Sequence, residues 1–366
     1  MPIETPLLDL HRSAHAEIGE YFGTVLPSRF GDSAQEYSAA RNTVVLVDAN
    51  FRAYFSFSGP DAQRYLNALL TSNVRDLKPG QGAVGLLLTP QGHILAEIET
   101  FDQSGSLLVA SHGLVRERTL STFDKFIIMD DVTLEDVTPL TGSLDLLGPL
   151  AGGLMLELCR VNLAEMPDLA HREVMLDSVP CRVVHRNWAG HSSATLIVAR
   201  EQLVPLWHEL DARVRAFRGM PAGMEAINSI RLESGIPWFG HDYDDRNIPH
   251  EAGLEHSHIS YEKGCYTGQE IVERVRSRGH VNRRLTELQF LATRPPAPGT
   301  KLFTAGNAAT GEVGYVTSAA YSPLLQRPIG LGYVRREHSA LGSHLDASGA
   351  EAEVILPPLL ANTSTP

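Results

Sequence analysis

Lys263-Gly264-Cys265-Tyr266-Thr267-Gly268-Gln269-Glu270 is the stretch of this chain whose residue types come closest to chemistry. Two glycines bracket a cysteine in a turn-like setting, a lysine stands two positions before it, and Arg274, Arg276 and Arg278 follow within a few turns. Positive neighbours lower a thiol's pKa and make the thiolate available as a nucleophile. Cys265 is therefore a candidate reactive thiol. The competing reading is a buried cysteine packing as a small hydrophobe, and spacing alone leaves both open.

Arg274, Arg276, Arg278, Arg283 and Arg284, with His280, form a dense basic run in an acidic chain. Guanidinium forks suit a polyanion, whether a phosphate, a glutamate tail or an RNA backbone. The same run also reads as a solvated helix face paired with Glu270 and Glu273. Upstream, Arg231 and Glu233 followed by Trp238 and Phe239 gather a cation, a carboxylate and aromatic faces. Such a set could hold a flat heterocycle bearing acidic groups, or be a surface ion pair beside a core Trp.

Two apparent metal motifs fail on spacing. His250-Glu251 lacks the second His that a zinc-binding helix needs at i+4, where Leu254 stands. Asp242-Tyr243-Asp244-Asp245 opens like a calcium loop, but Asn247 replaces the turn glycine and Gly253 the closing Glu. No metal site is expected.

These segments need a scaffold, and 366 residues is enough for about two or three domains. A 43% hydrophobic and 20% charged composition is that of a folded globular chain. Lys and Arg number 31 against 43 Asp and Glu, a formal charge of −12, so any nucleic-acid contact must come from a local patch. The strongest apolar runs, 83–88 and 194–199, are strand-sized, and none approaches the roughly 18–20 residues of a membrane-spanning helix. The N-terminus lacks a basic start followed by an apolar stretch, and Cys159, Cys181 and Cys265 are three widely spaced cysteines, so a reducing, cytoplasmic setting is expected.

Periodicity predicts a first helix carrying Leu7, His11, Ala14 and Ile18 on one face, then strands at 43–48 and 52–57. Gly59-Pro60-Asp61 opens a helix with Ala62, Tyr65, Leu66 and Leu69 in register. The runs 83–88 and 94–101 flank the turn TPQGH, and Ile94, Ala96 and Ile98 alternate with Glu97 and Glu99, predicting a hairpin with one wet face. A strand at 107–111, a helix near 115–126 and a strand near 132–137 continue an α+β pattern without βαβ rhythm. A second unit starts at 143–148 and includes a strand at 195–199. It continues through a helix with Leu203, Leu206, Trp207, Leu210, Val214 and Phe217 on one stripe, and ends in a helix at 222–233. Residues 238–284 are poor in aliphatics, where sites tend to lie. Beyond 285, runs at 285–290, 312–317, 329–334 and 353–356 are punctuated by RPPAPG, AGN and SPLLQRP, predicting a small β-barrel or sandwich. The terminal ANTSTP is expected to be disordered.

RLESGIPWFGHDYDDRNIPHEAGLE followed by KGCYTGQEIVERVRSRG resembles the YgfZ-type folate-binding proteins, relatives of the glycine-cleavage T-protein (aminomethyltransferase) that act in iron-sulfur cluster synthesis or repair. SGPDAQRYLNALLTSNVRDLKPGQGAVGLLLTPQGHIL, LDLLGP, GEVGYVTSAAYSP and IGLGYVRR extend the resemblance over most of the chain. It implies an α+β, three-domain T-protein-like cloverleaf with a C-terminal small β-barrel, divided at 1–140, 141–284 and 285–360. It also implies tetrahydrofolate or a derivative as cofactor. Iron-sulfur proteins or assembly factors are the implied partners, with a possible link to tRNA modification and no membrane.

Carried over position by position, the paired acidic residues that T-proteins place at the reacting nitrogen of the folate fall on Ala96 and Glu97. A carboxylate there steers proton transfer, which Ala cannot do and which a shifted Glu does from a different angle. The loop before the pterin-binding Glu corresponds to residues 187–193, with Thr195 at the Glu position. Arg231 matches an arginine associated with the folate, Arg283 or Arg284 a basic position near its tail, and Trp238 a stacking surface. Lys263, Tyr266, Gly268 and Gln269 complete the expected cofactor-binding set, with Cys265 and Glu97 as the expected catalytic pair. The alternative activity implied is a folate-dependent aminomethyltransferase or demethylase using Glu97.

Overall fold

The computed structural model describes residues 2–305 and 311–361. Residues 306–307 of the AGN turn and 362–366 of ANTSTP lie outside them. The chain divides into two compact units, one of Met1–Leu87, Leu95–Ile227 and His258–Thr267, the other of Leu88–Ile94, Asn228–Ser257 and Gly268–Pro366.

In the first unit, β1 (Ile3–Glu4), β2 (Glu17–Tyr21) and β3 (Thr24–Arg29) form a small sheet of order β1-β3-β2, with α1 (Leu8–Ser13) between its first two strands. The long N-terminal helix expected from Leu7 to Ile18 is thus cut short. His15 takes a left-handed φ of 57° and Ile18 pairs with Pro27 in the sheet. A residue in that conformation ends a right-handed helix. Helix α2 (Ser33–Asn42), absent from the sequence reading, starts at Asp32, an N-cap residue whose side chain accepts the Ala34 N–H at 2.9 Å.

Strands β4 (Val45–Asp48) and β5 (Arg52–Ser58), helix α3 (Ala62–Leu69), the hairpin strands β6 (Gly82–Leu88) and β7 (Ile94–Asp102), β8 (Ser106–His112), helix α4 (Arg116–Phe126) and β9 (Thr133–Asp136) follow. They match the predicted strand, helix and hairpin positions within a few residues. A five-stranded sheet has the order β6-β7-β8-β5-β9. The rest of this unit supplies β10 (Thr141–Leu147), α5 (Ala151–Cys159), β11 (His171–Leu176), β12 (Val179–Trp188), β13 (His191–Ala199), α6 (Leu203–Ala216) and β14 (Met220–Pro221). Their six-stranded sheet, β11-β12-β13-β10-β4-β14, takes in β4 from the earlier segment.

One face of that sheet is sealed by α5 and α6, where Leu154, Met155, Leu206, Trp207 and Leu210 pack on Leu144, Val183 and Leu196. The predicted α6 stripe is core. On the opposite face Val184 and Ile197 join Tyr54, Phe101 and Leu108 of the five-stranded sheet. Val183 and Val184 serve the two cores because successive strand residues point to opposite faces.

In the second unit, α7 (Met224–Glu233) ends, a run of turns leads to α8 (Gln269–Arg278), and a closed barrel follows. Its strands are β15 (Arg283–Leu291), β16 (Lys301–Thr304), β17 (Glu312–Ser322), β18 (Arg327–Arg335), β19 (His344–Ala347) and β20 (Ala350–Val354), closed in the order β15-β18-β17-β16-β19-β20, before a last turn of helix, α9 (Pro358–Ala361). Leu288, Phe290, Leu302, Val316, Val334 and Val354 fill it. Closure leaves no free sheet edge. No described helix is long and apolar enough to cross a membrane.

Candidate functional site

The alternation of β7 buries Ile94, Ala96 and Ile98 completely and turns Glu97 and Glu99 to the other face. Ala96 is therefore a core residue and Glu97 carries the carboxylate. The face expected to be wet is instead lined with charge, because other strands bring cations to it. His112, at the end of β8, sets its Nε2 3.8 Å from Glu97 Oε1, and His258 sets its Nε2 3.5 Å from Glu97 Oε2. Burial alone would raise the Glu97 pKa, but hydrogen bonding and attraction from the two imidazoles outweigh it and hold the carboxyl below the usual carboxylate range. Glu97 is thus ionised at neutral pH with about a fifth of its side chain open to solvent (22%).

The His112 ring stacks on Phe51 at 5.8 Å, and Phe51 on Phe22 at 4.5 Å, an aromatic wall beside the carboxylate. Along the same face of β7, Glu99 accepts a two-pronged hydrogen bond from Arg186. Arg186 Nε donates to Thr195 Oγ1 at 3.0 Å, and Thr195 donates to Asp145 Oδ1 at 2.6 Å. Asp145 also pairs with Arg52 at 3.2 Å. Thr195 thus lacks a carboxylate of its own but is bonded to one. Charges Glu99, Asp145, Arg52 and Arg186 compensate one another, as partly buried charges must.

Residues 258–267 form an irregular segment laid on the end of α3. The Lys263 ammonium donates to the carbonyls of Asn67, Leu70 and Ser72 and lies 5.0 Å from the Tyr266 ring centre. Burial, with repulsion from Arg75, lowers its pKa to about 8, so it stays mainly protonated at neutral pH. Two of the three carbonyls, those of Asn67 and the cap residue Leu70, belong to the C-terminal end of α3, where intrahelical partners run out, and the third, Ser72, lies just beyond it. Lys263 is accordingly a clamp on α3, and its charge is not directed at the cysteine two residues on. Cys265 is exposed and Tyr266 buried.

In the second unit, Gly268 (φ 84°) precedes α8, and a Cβ there would stand 2.6 Å from the Thr89 carbonyl oxygen, so backbone crowding accounts for the glycine. Gln269, part-buried, opens α8. Arg231 and Trp238 are brought together, but onto each other, with the guanidinium 4.5 Å from the Trp ring centre. Arg231 is 1% exposed; it donates to Asn228 Oδ1 at 2.9 Å and the Ile236 carbonyl at 3.1 Å, and pairs with Asp242. Asp242 in turn accepts from Trp238 N, Thr317 and Ser318. Glu233 is fully buried like Arg231, so the alternative of a surface ion pair does not hold. It accepts from Ser322 Oγ at 2.6 Å and Leu324 N at 3.2 Å.

Arg283 forks onto Glu251 at 3.1 and 3.2 Å above Tyr333, while Arg284 is exposed. Arg274 and Arg276 are also exposed on α8, and Arg276 lies 3.6 Å from Glu273. A cavity of about 580 Å³ is lined by His280, Asn282, Arg283, Arg335 and Arg336, together with Glu251 and Glu337.

A mixed α+β chain with an ionised carboxylate between two imidazoles and a closed C-terminal barrel defines a class for which known relatives exist. Residues 7–260 match the GCVT N-terminal domain and residues 283–360 the glycine cleavage T-protein C-terminal barrel domain. The chain belongs to the glycine cleavage T-protein family. It is 28% identical over 349 residues to an aminomethyltransferase of Nostoc sp., covering 93% of this chain and 90% of that one. It is 27% identical over 345 residues to that of Streptomyces coelicolor, covering 93% and 91%. The glycine cleavage system aminomethyltransferase T of Bartonella henselae shares the fold, with a TM-score of 0.86 at 20% identity over 98% of each chain.

Sequence reasoning singled out Glu97 and Cys265 but missed His112, His258 as a partner of Glu97, and the Glu99, Arg186, Asp145 and Arg52 network. The Glu97/Glu99 alternation was the available signal. The cations that meet it come from β5, β8, β12 and the 258–267 segment, whose proximity no local pattern encodes.

Proposed function

We propose that this protein binds a reduced folate beside Glu97 and serves iron-sulfur cluster maintenance in the manner of the YgfZ-type proteins, with Cys265 as the thiol that meets an iron-sulfur client or assembly factor. The observation that carries the reading is one of connection. The segment that brings His258 to Glu97 also displays the exposed Cys265. The donor set fits a folate: an ionised carboxylate for a basic ring nitrogen, Phe51 and His112, backed by the buried Phe22, for a flat heterocycle, and the Glu99, Arg186 and Asp145 groups for an amino-amide edge. A bound folate would supply a one-carbon acceptor. Glu97 would hold negative charge near the nitrogen that carries the one-carbon unit, and His112 and His258 keep that carboxylate ionised and oriented.

A second reading, folate-dependent aminomethyl transfer or demethylation, is favoured by Glu97 itself, since an oriented carboxylate is the group such a transfer needs. Exposed Arg274, Arg276 and Arg284 are the groups available to a tRNA contact, which steep salt dependence of RNA binding would reveal. The deciding experiment is an anaerobic calorimetric titration of tetrahydrofolate into the wild type and Cys265→Ala, followed by an aminomethyl donor. Saturable binding in both without methylene-tetrahydrofolate formation supports the maintenance role. Turnover moves the protein to the transferases, and no binding at millimolar ligand removes both.

A further inference from the structure

We infer that Thr71 and Lys263 are positioning residues for Glu97, acting at a distance through His258. Thr71 is fully buried. Its Oγ1 accepts the Leu86 N–H at 2.7 Å and donates its one proton to the His258 carbonyl at 2.6 Å, while its own carbonyl accepts the Ser260 N–H at 2.9 Å. Because Leu86 occupies a lone pair, the hydroxyl proton is left to point at the 258–267 segment. Thr or Ser can do this, and isosteric Val cannot.

Lys263 fastens the same segment further along, through the carbonyls of Asn67, Leu70 and Ser72, and Thr267 N donates to the Ala68 carbonyl at 3.3 Å. All of these anchors fall on residues 67–72, the end of α3 and the turn after it. The segment has no helix or strand of its own to fix it, so the hydrogen bonds set where His258 stands. His258 Nε2 then faces Glu97 Oε2 at 3.5 Å, a separation at which orientation of the ring decides how strongly the carboxylate is held. The order of cause runs from α3 through Thr71 and Lys263 to His258 and last to Glu97. The meaning of this for chemistry rests on the folate reading, whereas the geometry does not.

The test uses the full chain and compares Thr71→Val, Thr71→Ser and Glu97→Gln in the absence of folate. Two readouts apply: the ¹⁵N imidazole resonances of His258 and His112, and the native-state hydrogen-exchange rate of the Ser260 amide, which the Thr71 carbonyl holds. Thr71→Val should move the His258 resonance while leaving His112 in place, and should speed exchange of the Ser260 amide about tenfold, the effect of one lost hydrogen bond on local opening. Thr71→Ser should restore both, and Glu97→Gln should leave the exchange rate unchanged.

Equal loosening by Glu97→Gln would show that the ion pair holds the segment, and the inference would be overturned. An unmoved His258 resonance in a folded Thr71→Val protein would overturn it as well. Should Thr71→Val fail to fold, Lys263→Met and its rescue by Lys263→Arg give the same comparison. Native-state hydrogen exchange at the Ser260 amide in Glu97→Gln provides an arm that needs neither variant. Tetrahydrofolate titration of Thr71→Val is run separately, so a failure of the folate reading leaves the positioning result standing.

Discussion

Glu97 Oε2 lies 3.5 Å from His258 Nε2 while its other oxygen faces His112 at 3.8 Å, so one carboxylate joins two inner strands of the five-stranded sheet to a segment far away in sequence. Glu97→Gln should keep the fold and, if aminomethyl transfer occurs, lower turnover by about 10²- to 10⁴-fold with little change in folate affinity. Steady-state kinetics beside calorimetry separates the two effects, and an unchanged rate would retire Glu97 as the reacting carboxylate.

The depressed Glu97 pKa also has a stability consequence of fixed sign. The folded state holds this proton more weakly than the unfolded chain, so the group stabilises at pH above its unfolded value of about 4.3, and the contribution is lost as pH falls. Denaturant unfolding from pH 7 to pH 3 should therefore show a shallower decline for Glu97→Gln than for the wild type.

Glu287 is the opposite case. It is 5% exposed, neither carboxylate oxygen has a hydrogen-bond partner among the described residues, and burial raises its pKa well above the usual value despite Arg231. Here the folded state retains the proton, so stability falls as pH rises from about 4.3 toward the raised folded value. Glu287→Gln should remove that slope and stabilise by about 1–3 kcal/mol near pH 8, with a smaller effect near pH 5. Identical shifts at both pH values would contradict a protonated Glu287.

Arg231 and Asp242 form a buried pair whose rupture strands a charge. Asp242→Ala should cost about 3–5 kcal/mol, as should Arg231→Ala. The double substitution should cost clearly less than the sum, because each single change leaves the partner unpaired. Additive losses in a double-mutant cycle would show that the two side chains act independently.

Cys265 is exposed. Cys265→Ala should leave unfolding free energy within about 0.5 kcal/mol of the wild type and folate affinity unchanged, while abolishing function in cells that depend on cluster maintenance. Loss of the fold would return Cys265 to a packing role, and full cellular function would separate the thiol from the activity.

Much of the architecture was legible in the chain itself. The Ile94/Ala96/Ile98 alternation, the α6 stripe and the punctuated strands beyond 285 became β7, α6 and the barrel, because hydrophobic period is a local property that burial rewards directly. The failures were local signals overruled from outside. Leu7 to Ile18 has helical spacing, yet Ile18 is drawn into a strand by β3.

Residue types determined which groups were available for chemistry: a carboxylate at 97, a thiol at 265, a lysine at 263 and an arginine at 231. Only the tertiary structure decided what each one meets. Lys263 and Arg231 looked like ligand-facing cations, but the carbonyls at the end of α3 and the Asp242 carboxylate claim them. Glu97 was expected as a carboxylate for catalysis on a wet strand face, but the two imidazoles that hold it, His112 and His258, come from elsewhere in the chain. The physical reason is that a buried charge must be compensated within a few ångströms, and the compensating group is chosen by chain folding rather than by sequence proximity.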